Sequence, residues 1–348
     1  MNLKIQENVP LAELTTFKIG GNARYFIEIN SASELTDTFE WVKDKGLDYF
    51  ILGGGSNTIF SDEDYLGLII KMNIMGFEVI DEDESISTIK VGAGEDWDET
   101  VKRTVEMNLS GMEALSGVPG NTGATPVQNI GAYGQEVKDT IEFVEVYDTK
   151  ENKITKLSNK DCNFSYRDSI FKSSQKGRYI ICFVAFKSSK KAASIPQYKD
   201  VMNYFKNRNI SAPNLREIRE AILEIRKNKF VNPSIMPNAG SFFKNPKVPK
   251  EIAEKIMLKY PDIKPYPEDT KIFPNPDGTY KLAAGWLIQE AGFKGVELEK
   301  VRIDPNHALV LENKGGATQK DLMVLVDKVK AKVFELFEVE LEIEPVVV

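Results

Sequence analysis

The sequence is poor in histidine and cysteine, and this shortage excludes several kinds of catalysis. Its 348 residues include one histidine, His307, and two cysteines, Cys162 and Cys182. A metal centre built from several histidines is excluded, and no metal site is predicted. A Ser-His-Asp or Cys-His arrangement would have to use His307, and no Gly-x-Ser-x-Gly segment exists to supply a nucleophile. Acid and base chemistry must therefore come mainly from Ser, Tyr, Lys, Arg, Asp or Glu.

Other shortages concern partners and location. The two cysteines lie in apolar, strand-like surroundings without metal-ligand spacing, which favours buried thiols over a disulfide. A net charge of −7 argues against a nucleic-acid-binding surface. No apolar run reaches membrane-spanning length, and the first ten residues contain no signal peptide pattern. We therefore expect a cytoplasmic protein without membrane insertion or nucleic-acid partners.

Glycine, in contrast, is concentrated in one long loop. Residues 116–136 read SGVPGNTGATPVQNIGAYGQE, with five glycines, two prolines and no charge before Glu136. Such a loop offers bare backbone N–H groups and neutral side chains, which suits a large, planar, partly anionic cofactor. The alternative is a mobile surface loop, but Val127, Ile130 and Tyr133 would then be exposed. The pattern favours a ligand-binding loop.

A second glycine cluster, GGGSNT at Gly53–Thr58, follows the apolar run Tyr49–Leu52. Backbone N–H groups in a glycine turn that leaves a strand can hold phosphate oxygens, so this turn is a candidate pyrophosphate cradle. It is neither a Walker loop nor a dinucleotide fingerprint, because no Gly-Lys-Ser/Thr and no glycine-led helix follow. A simple hairpin is an equally good interpretation of this segment alone.

Local patterns also predict where helices begin. Ser31 with Glu34, and Asp96 with Glu99, have the spacing of N-terminal capping residues. Asn214 and Thr318 are predicted to cap two later helices, the second running to about Phe337. The end of the chain, VELEIEPVVV, alternates as a strand that would carry Glu340, Glu342 and Glu344 on one face.

The two glycine loops, in this order, resemble the flavin-binding half of the UDP-N-acetylenolpyruvoylglucosamine reductase (MurB) family. Four further segments match the same family: LTTFKIGGNA (Leu14–Ala23), YRDSIFK (Tyr166–Lys172), NAGSFFKNP (Asn238–Pro246) and KLAAGWLIQEAG (Lys281–Gly292). The resemblance spans almost the whole chain. It implies an oxidoreductase of peptidoglycan precursor synthesis, in which NADPH reduces FAD and the flavin then reduces the enolpyruvyl ether of a UDP-sugar to UDP-N-acetylmuramate.

The resemblance implies roles for individual residues. Arg167 matches the arginine that holds the substrate carboxylate, Ser241 the proton donor and Glu344 a catalytic glutamate, with Glu342 as the alternative register. The implied substrate-binding residues are Tyr198, which belongs to the longer form of the family, Arg226, Lys229, Asn245, Lys294 and His307. The implied FAD-binding residues are Gly53, Gly54, Gly55, Ser56, Asn57, Thr58, Ser116, Gly117, Pro119, Gly120, Thr122, Gly123, Ala124, Gln128, Asn129, Gly131, Ala132 and Tyr133. FAD should be bound without a covalent bond, because His307 lies outside this half and neither cysteine lies in a glycine loop.

The implied fold class is α+β, with a two-part FAD-binding half of the PCMH/VAO type and a C-terminal α/β substrate-binding domain. We expect a first FAD subdomain at residues 1–70, to which the C-terminal strand can return, a second at 71–210, and the substrate-binding domain at 211–348. The PCMH-type region itself should cover about 17–188. We expect a monomer.

Two alternatives use the same loops. The chain could be another FAD-dependent oxidase or dehydrogenase of this superfamily, although many of those attach FAD through a histidine in the N-terminal half. It could also be a nucleotide-binding protein without catalysis, which would need none of Arg167, Ser241 and Glu344.

Overall fold

The structure is a computed structural model that describes residues 3–266 and 270–348. The chain divides into two compact units, each assembled from separate stretches of sequence. Unit 1 contains the described residues up to Val9, together with Asn22–Gly55 and Tyr65–Asn228. Unit 2 contains Pro10–Gly21, Ser56–Asp64 and the described part of Lys229–Val348.

The described residues form seven α-helices and nineteen strands, most of them short. The α-helices are α1 (Glu34–Lys45), α2 (Trp97–Glu106), α3 (Lys199–Asn207), α4 (Leu215–Lys229), α5 (Lys250–Lys259), α6 (Ala284–Glu290) and α7 (Gln319–Phe337). The strands are β1 (Gln6–Pro10), β2 (Asn22–Ile29), β3 (Tyr49–Leu52), β4 (Thr58–Ile59), β5 (Tyr65–Met72), β6 (Phe77–Glu82), β7 (Ile86–Gly92), β8 (Gly131–Ala132), β9 (Gln135–Glu136), β10 (Ile141–Asp148), β11 (Lys153–Ser158), β12 (Tyr179–Ser189), β13 (Asn238–Ser241), β14 (Lys247–Val248), β15 (Ile272–Pro274), β16 (Tyr280–Leu282), β17 (Val301–Ile303), β18 (Val310–Asn313) and β19 (Val346–Val347).

Among the described residues, unit 1 contains two larger sheets and the two-stranded pair β8-β9. The first has the order β1-β2-β5-β3, and β5 pairs in parallel with both of its neighbours. Its run of buried residues from Gly67 to Ile70 is what a strand covered on both faces requires. The second sheet, β11-β10-β12-β7-β6, pairs antiparallel throughout. The β2-α1-β3 order therefore delivers the glycine turn at the carboxyl end of a parallel strand, where such sheets bind ligands.

Three of the four predicted helix caps are confirmed. Asp96 accepts the Glu99 N–H at 2.9 Å, Asn214 accepts the Glu217 N–H at 3.0 Å, and the Thr318 hydroxyl accepts the Asp321 N–H at 3.0 Å. The cap at Ser31 is wrong. Helix α1 begins after Ser33, whose side chain makes no capping bond, and the Glu34 carboxylate instead accepts the Asn30 N–H at 2.9 Å.

Helices α3 and α4 belong to unit 1, which corrects the predicted boundary at residue 211. Ile218, Ala221 and Ile222 on α4 form one buried cluster with Ala114 and Tyr133. The apolar face of α4 thus packs within unit 1, against α3 and the glycine loop region. In the other direction, residues 10–21 and 56–64 belong to unit 2, although both lie inside the predicted first FAD subdomain.

Unit 2 is built from three small sheets and α7, whose buried face runs from Leu322 to Phe337. The predicted C-terminal strand is broken: Ile343 makes a single bridge to Phe243, and pairing resumes only at β19. Pro345 lies between the two and cannot donate a ladder hydrogen bond. Strand β19 pairs in parallel with β4, so the chain end does return to residues within 1–70.

The described residues also bear on the expectations about cysteine and membranes. Cys162 and Cys182 are buried thiols that are not disulfide-bonded, and burial raises the pKa of each to about 12. Within residues 3–266 and 270–348, no helix combines the length and apolar character needed to cross a bilayer.

Candidate active site

The two glycine loops touch each other within unit 1. A Cβ atom on Gly54 would lie 2.6 Å from Asn121 Oδ1 and 3.0 Å from Gly120 Cα. Gly55, with φ +66°, and Gly120, with φ +120°, both have backbone conformations that favour glycine. A side chain at Gly54 would separate the loops, so glycine at this position lets them form one continuous backbone surface.

Lys71 supports the first loop. Its Nζ atom donates to the Gly53 carbonyl oxygen at 2.7 Å, at the point where β3 ends and the glycine turn begins. Burial lowers the pKa of Lys71, and the nearby Glu28 opposes this effect. A half-buried ammonium group beside a nest of backbone N–H groups makes the surroundings favourable for phosphate. These residues fit the pyrophosphate of a dinucleotide cofactor.

The polar side chains of the second loop point into the protein. The Ser116 hydroxyl donates to Glu113 O at 2.6 Å, and the Thr122 hydroxyl lies 3.1 Å from that of Thr100 on α2. The Asn129 amide donates to Ser165 O at 2.9 Å, and its oxygen accepts the Lys138 N–H at 3.1 Å. These three side chains hold the loop in place. Their assignment to FAD binding stays a prediction, and the backbone groups at these positions are further candidates for the contacts.

Other loop residues are held similarly. The Gln128 side-chain oxygen accepts from Lys172 Nζ at 3.2 Å, the Gly120 carbonyl accepts the Trp97 N–H at 3.0 Å, and the Asn57 carbonyl accepts the Val346 N–H at 2.9 Å. A Cβ on Gly123 would lie 2.5 Å from Ala93 Cβ, and one on Gly131 would lie 3.0 Å from Gln135 O. Glycine is required at these two positions by the protein's own packing. The loop at 116–136 also contains Pro119, Ala124 and Ala132. The turn at Gly53–Thr58 also contains Ser56 and Thr58.

Arg167 lies at the tip of a tight turn closed by reciprocal backbone bonds between Ser165 and Asp168. Its φ of +55° is unfavourable for a residue with a side chain, and such outliers cluster at functional sites. Its Nη2 atom donates to the Gly131 carbonyl oxygen at 3.0 Å. The structure therefore brings Arg167 to the second glycine loop, from which it is separated by more than thirty residues of sequence.

A partly buried ion pair that sequence reasoning missed holds the start of this loop. Asp98 on α2 accepts from Arg219 on α4 through both oxygens, at 2.6 and 2.8 Å, and also accepts the Gly117 N–H at 2.6 Å. Arg226 Nε donates to the Gly117 carbonyl at 3.0 Å. Burial would raise the pKa of Asp98, but the bonds from Arg219 and Gly117 outweigh it and lower the pKa. The signal available in sequence was a pair of arginines seven residues apart on one helix face.

Arg226 thus has a structural partner that its predicted substrate role did not anticipate. Arg226 is partly buried, and this burial lowers its pKa against the opposing effect of Tyr133. Tyr133 itself has φ +49° and packs edge-on against Tyr198, with ring centroids 5.3 Å apart. Burial raises the pKa of both tyrosines. Two predicted ligand-binding residues, Tyr133 and Tyr198, are therefore neighbours in unit 1.

Unit 2 brings Ser241 and Glu344 onto adjacent backbones. Ser241 ends β13, directly before Phe242, whose carbonyl accepts the Glu344 N–H at 2.9 Å. Glu342, the alternative glutamate, is 73% exposed and forms an ion pair with Lys244 at 2.7 Å. Glu344 is half-buried. The Glu342 carbonyl accepts the Lys244 N–H at 2.9 Å, so both glutamates border the segment that follows Ser241, and Glu344 is the one whose backbone bonds to the residue next to Ser241.

Three predicted substrate-binding residues also gather in unit 2. His307 stacks on Phe230 with ring centroids 4.8 Å apart, and its Nδ1 accepts the Leu309 N–H at 3.3 Å. Burial, helped by the charges of Lys229 and Lys294, lowers the pKa of His307 to about 4. The imidazole is therefore neutral near pH 7, with its proton on Nε2. A neutral donor between two cations suits an anionic group.

Asn245 is partly used by the fold. Its side-chain oxygen accepts the Ala284 N–H at 2.9 Å, at the beginning of α6. This bond orients the side chain and leaves the amide NH₂ group as the part that can serve a ligand.

Comparisons with known proteins agree with this geometry. Residues 23–158 match the model of an FAD binding domain, and residues 232–348 match the C-terminal domain of UDP-N-acetylenolpyruvoylglucosamine reductase. The solved structure of that reductase from Thermus caldophilus has the same fold, with a TM-score of 0.67 and 22% identity, and the alignment covers 100% of this chain and 99% of that one. The chain is thus an FAD-binding oxidoreductase of α+β fold, which confirms the predicted fold class.

Full-length relatives define the family. The chain is 38% identical to UDP-N-acetylenolpyruvoylglucosamine reductase of Flavobacterium johnsoniae, covering 98% of this chain and 99% of the relative. It is 39% identical to that of Bdellovibrio bacteriovorus, covering 99% of each. The chain belongs to the UDP-N-acetylenolpyruvoylglucosamine reductase family. The predicted family, the enzyme class and the cofactors FAD and NADPH are confirmed.

Proposed function

We propose that the chain performs the reaction of its family, the NADPH-dependent and FAD-mediated reduction of UDP-N-acetylenolpyruvoylglucosamine to UDP-N-acetylmuramate, with Arg167, Ser241 and Glu344 as catalytic residues. The observation that carries the assignment of residues is the pairing of the Glu344 backbone with that of Phe242, next to Ser241. The product is a precursor of peptidoglycan. Bound FAD supplies the hydride that reaches the vinyl carbon of the substrate.

The first task of the protein is to bind FAD without a covalent bond. We assign the pyrophosphate to the turn at Gly53–Thr58 and the remainder of the cofactor to the loop at 116–136. Support comes from the contact between the two loops and from Lys71 behind the turn. Both cysteines are buried, Cys162 at the end of a short 3-10 helix and Cys182 in β12, so neither thiol is available for a covalent flavin link.

The second task is to stabilise charge on the substrate as it is reduced. Arg167 offers a planar guanidinium group that can hold both oxygens of the substrate carboxylate. Together with Glu344 it stabilises this carboxylate as it becomes enolic. The Ser241 hydroxyl then gives its proton to the adjacent carbon, and the serine regains a proton from solvent. Each of these steps uses a fixed group and requires no metal.

The third task is to bind the diphosphate of the UDP-sugar. We assign it to Lys229, Lys294, His307 and the amide of Asn245, since the first three combine two positive charges with a neutral N–H donor. Tyr198 remains a proposed substrate contact. We assign Arg226 to loop anchoring as well as to the substrate, because it donates to the Gly117 carbonyl. We also propose that the enzyme is a cytoplasmic monomer, which size-exclusion chromatography with light scattering would test.

Measuring the two half-reactions separately tests the proposal. NADPH should bleach the flavin absorbance of the purified protein, and the enolpyruvyl substrate should restore it. In Ser241→Ala the bleaching should keep its rate, while reoxidation slows by roughly 10² to 10⁴, the usual loss for a positioned proton donor. Equal slowing of both halves would make Ser241 structural. A yellow protein that NADPH bleaches but only oxygen reoxidises would favour an oxidase instead.

A further inference from the structure

Two buried carboxyl groups in unit 2 lie on one face of the small sheet β13-β18-β17. Asp304 is 1% exposed and Glu312 is 0% exposed. Strands β17 and β18 pair Arg302 opposite Glu312, and the Asp304 N–H binds the Val310 carbonyl at 2.9 Å. Residues 304 and 312 are therefore diagonal neighbours on one face of an antiparallel pair, within reach of each other's side chains.

Each carboxyl group uses one oxygen elsewhere. Asp304 Oδ1 accepts the backbone N–H groups of Asn306 and His307, at 2.5 and 2.9 Å. Glu312 Oε2 accepts from Arg302 Nε at 2.5 Å. The remaining atoms, Asp304 Oδ2 and Glu312 Oε1, are buried and accept no hydrogen bond from an N–H or hydroxyl group. Two buried acceptor oxygens without a donor are costly, unless a proton lies between them.

The Asn238 amide, which lies on the strand next to Glu312, already donates its hydrogens elsewhere. Asn238 pairs directly opposite Glu312 on the other side of β18. Its amide NH₂ donates to Met236 O at 2.9 Å and Val231 O at 3.3 Å, and its oxygen accepts the Gly240 N–H at 2.9 Å. Asn238 therefore cannot supply the missing hydrogen.

The charge balance leads to the same conclusion. One guanidinium group, that of Arg302, faces two carboxyl groups, and Arg302 also binds the exposed Glu297 at 3.4 Å. Like charges this close in a buried site cannot both ionise at their ordinary pKa values. Burial raises the pKa of Glu312, Arg302 opposes this, and Asp304 adds to it. In the described part of the chain, the titratable groups linked to this pair include His307, whose pKa responds to Asp304, Lys229 and Lys294, and Glu297, which binds both Arg302 and Lys314.

We propose that Asp304 and Glu312 share one proton at neutral pH, and that this hydrogen-bonded pair is a positioning device for the turn 304–307 that carries His307. The proton satisfies both remaining oxygens, and Asp304 Oδ1 stays free to hold the two backbone N–H groups of the turn. The same sheet carries Ser241, which pairs with Val310 on β18. The shared proton does not depend on the proposed function. Its consequence for substrate binding does rest on the proposed function.

The pH dependence of unfolding tests the proton directly. A carboxyl group whose pKa is raised by folding keeps a proton that the unfolded chain releases above about pH 4.3, so its contribution to stability is lost as pH rises through that window. Glu312→Gln carries a permanent N–H donor and escapes this loss. Between about pH 5 and about pH 8, the unfolding constant of the wild type should rise relative to that of Glu312→Gln by up to tenfold per pH unit. A ratio that stays constant would overturn the proposal.

Amide variants test the hydrogen bond. In Asp304→Asn the amide can donate to Glu312 Oε1 while its oxygen still holds the turn, so each single amide variant should fold. In the double variant Asp304→Asn/Glu312→Gln, two NH₂ groups face each other. The increase in its unfolding constant should exceed the product of the increases in the two single variants. A protonated-carboxyl band in the infrared spectrum at neutral pH should disappear in both single variants. Additive effects with no such band would mean that both groups are ionised.

Substrate kinetics test the positioning role. Asp304→Ala removes the acceptor for the turn, so KM for the UDP-sugar should rise about tenfold or more while flavin reduction by NADPH keeps its rate. Asp304→Asn should bring KM back towards the wild-type value. If the protein fails to reduce the enolpyruvyl substrate at all, the proposed function fails, but the infrared and pH-stability measurements still decide whether the proton is shared. An unchanged KM in Asp304→Ala would refute the positioning role.

Discussion

The ion pair between Arg219 and Asp98 makes a quantitative prediction about flavin binding. Arg219→Met would leave the Asp98 carboxylate with the Gly117 N–H but without its cation. The Arg219 side chain is 10% exposed and that of Asp98 is 35% exposed, and Arg219 Nη1 lies 2.6 Å from Asp98 Oδ1. Removing one partner of a fully buried pair costs about 3 to 5 kcal/mol, and a surface pair contributes about 0 to 1 kcal/mol. A third of Asp98 is hydrated, so we expect a loss of about 2 kcal/mol.

Gly117 begins the second glycine loop, so part of this loss should appear in cofactor affinity. We expect FAD to dissociate roughly tenfold more readily, since about 1.4 kcal/mol corresponds to a factor of ten. Flavin fluorescence on dilution and thermal unfolding with and without FAD would measure both effects. Arg208→Met is the matched control, because Arg208 pairs with Glu224 on the surface, at 43% and 48% exposure. If the two variants lose equal stability and bind FAD equally well, Arg219 does not hold the loop.

The remaining predictions concern the two glutamates, one glycine and the histidine. Glu344→Gln should slow the reoxidation of the flavin by substrate roughly 10²-fold or more and leave its reduction by NADPH intact. Glu342→Gln should be nearly fully active. If Glu342→Gln is the slower of the two variants, Glu342 is the catalytic carboxylate. Gly123→Val should lower the free energy of unfolding by about 3 kcal/mol, because its Cβ would lie 2.5 Å from Ala93 Cβ. The variant should also lose its flavin, and a stable yellow protein would contradict this prediction. In the folded protein His307 is neutral near pH 7, since its pKa is about 4. Acidification from about pH 6.5 to about pH 4 should therefore destabilise the wild type more than His307→Gln. If the stability of both proteins falls equally over this range, His307 is not buried as described.

The C-terminus should be tested by point substitution rather than by truncation. Removing Glu344–Val348 would also remove β19, whose backbone bonds include Val346 N–H to Asn57 O and Val348 N–H to Ile59 O, both 2.9 Å. Those bonds hold the segment that follows the first glycine turn. A truncated protein would thus lose structure near the cofactor loop as well as its carboxylate, and its phenotype could not be assigned to Glu344 alone.

Local sequence was sufficient for features that depend on neighbouring residues. The caps at Asp96, Asn214 and Thr318 are bonds across three residues, and α6 follows from its own apolar spacing. The glycine loops and the segments around Arg167 and Ser241 identified the family because each motif is continuous in the chain. Ser31 shows the limit of this reasoning: its spacing was right, but the Glu34 carboxylate accepts a different backbone N–H.

Only the tertiary structure decided how distant segments use their polar groups. It turned Ser116, Thr122 and Asn129 inward, because loop atoms must satisfy buried partners before they can serve a ligand. It joined Asp98 to Arg219 across 121 residues, and it paired Glu342 with Lys244 across 98 residues, which left Glu344 beside the serine strand. A local pattern can mark one face of a helix, as the two arginines of α4 do, but it does not specify which distant segment meets that face. The sequence determined what the chain binds, and the packing determined which side chains hold the site and which can act in it.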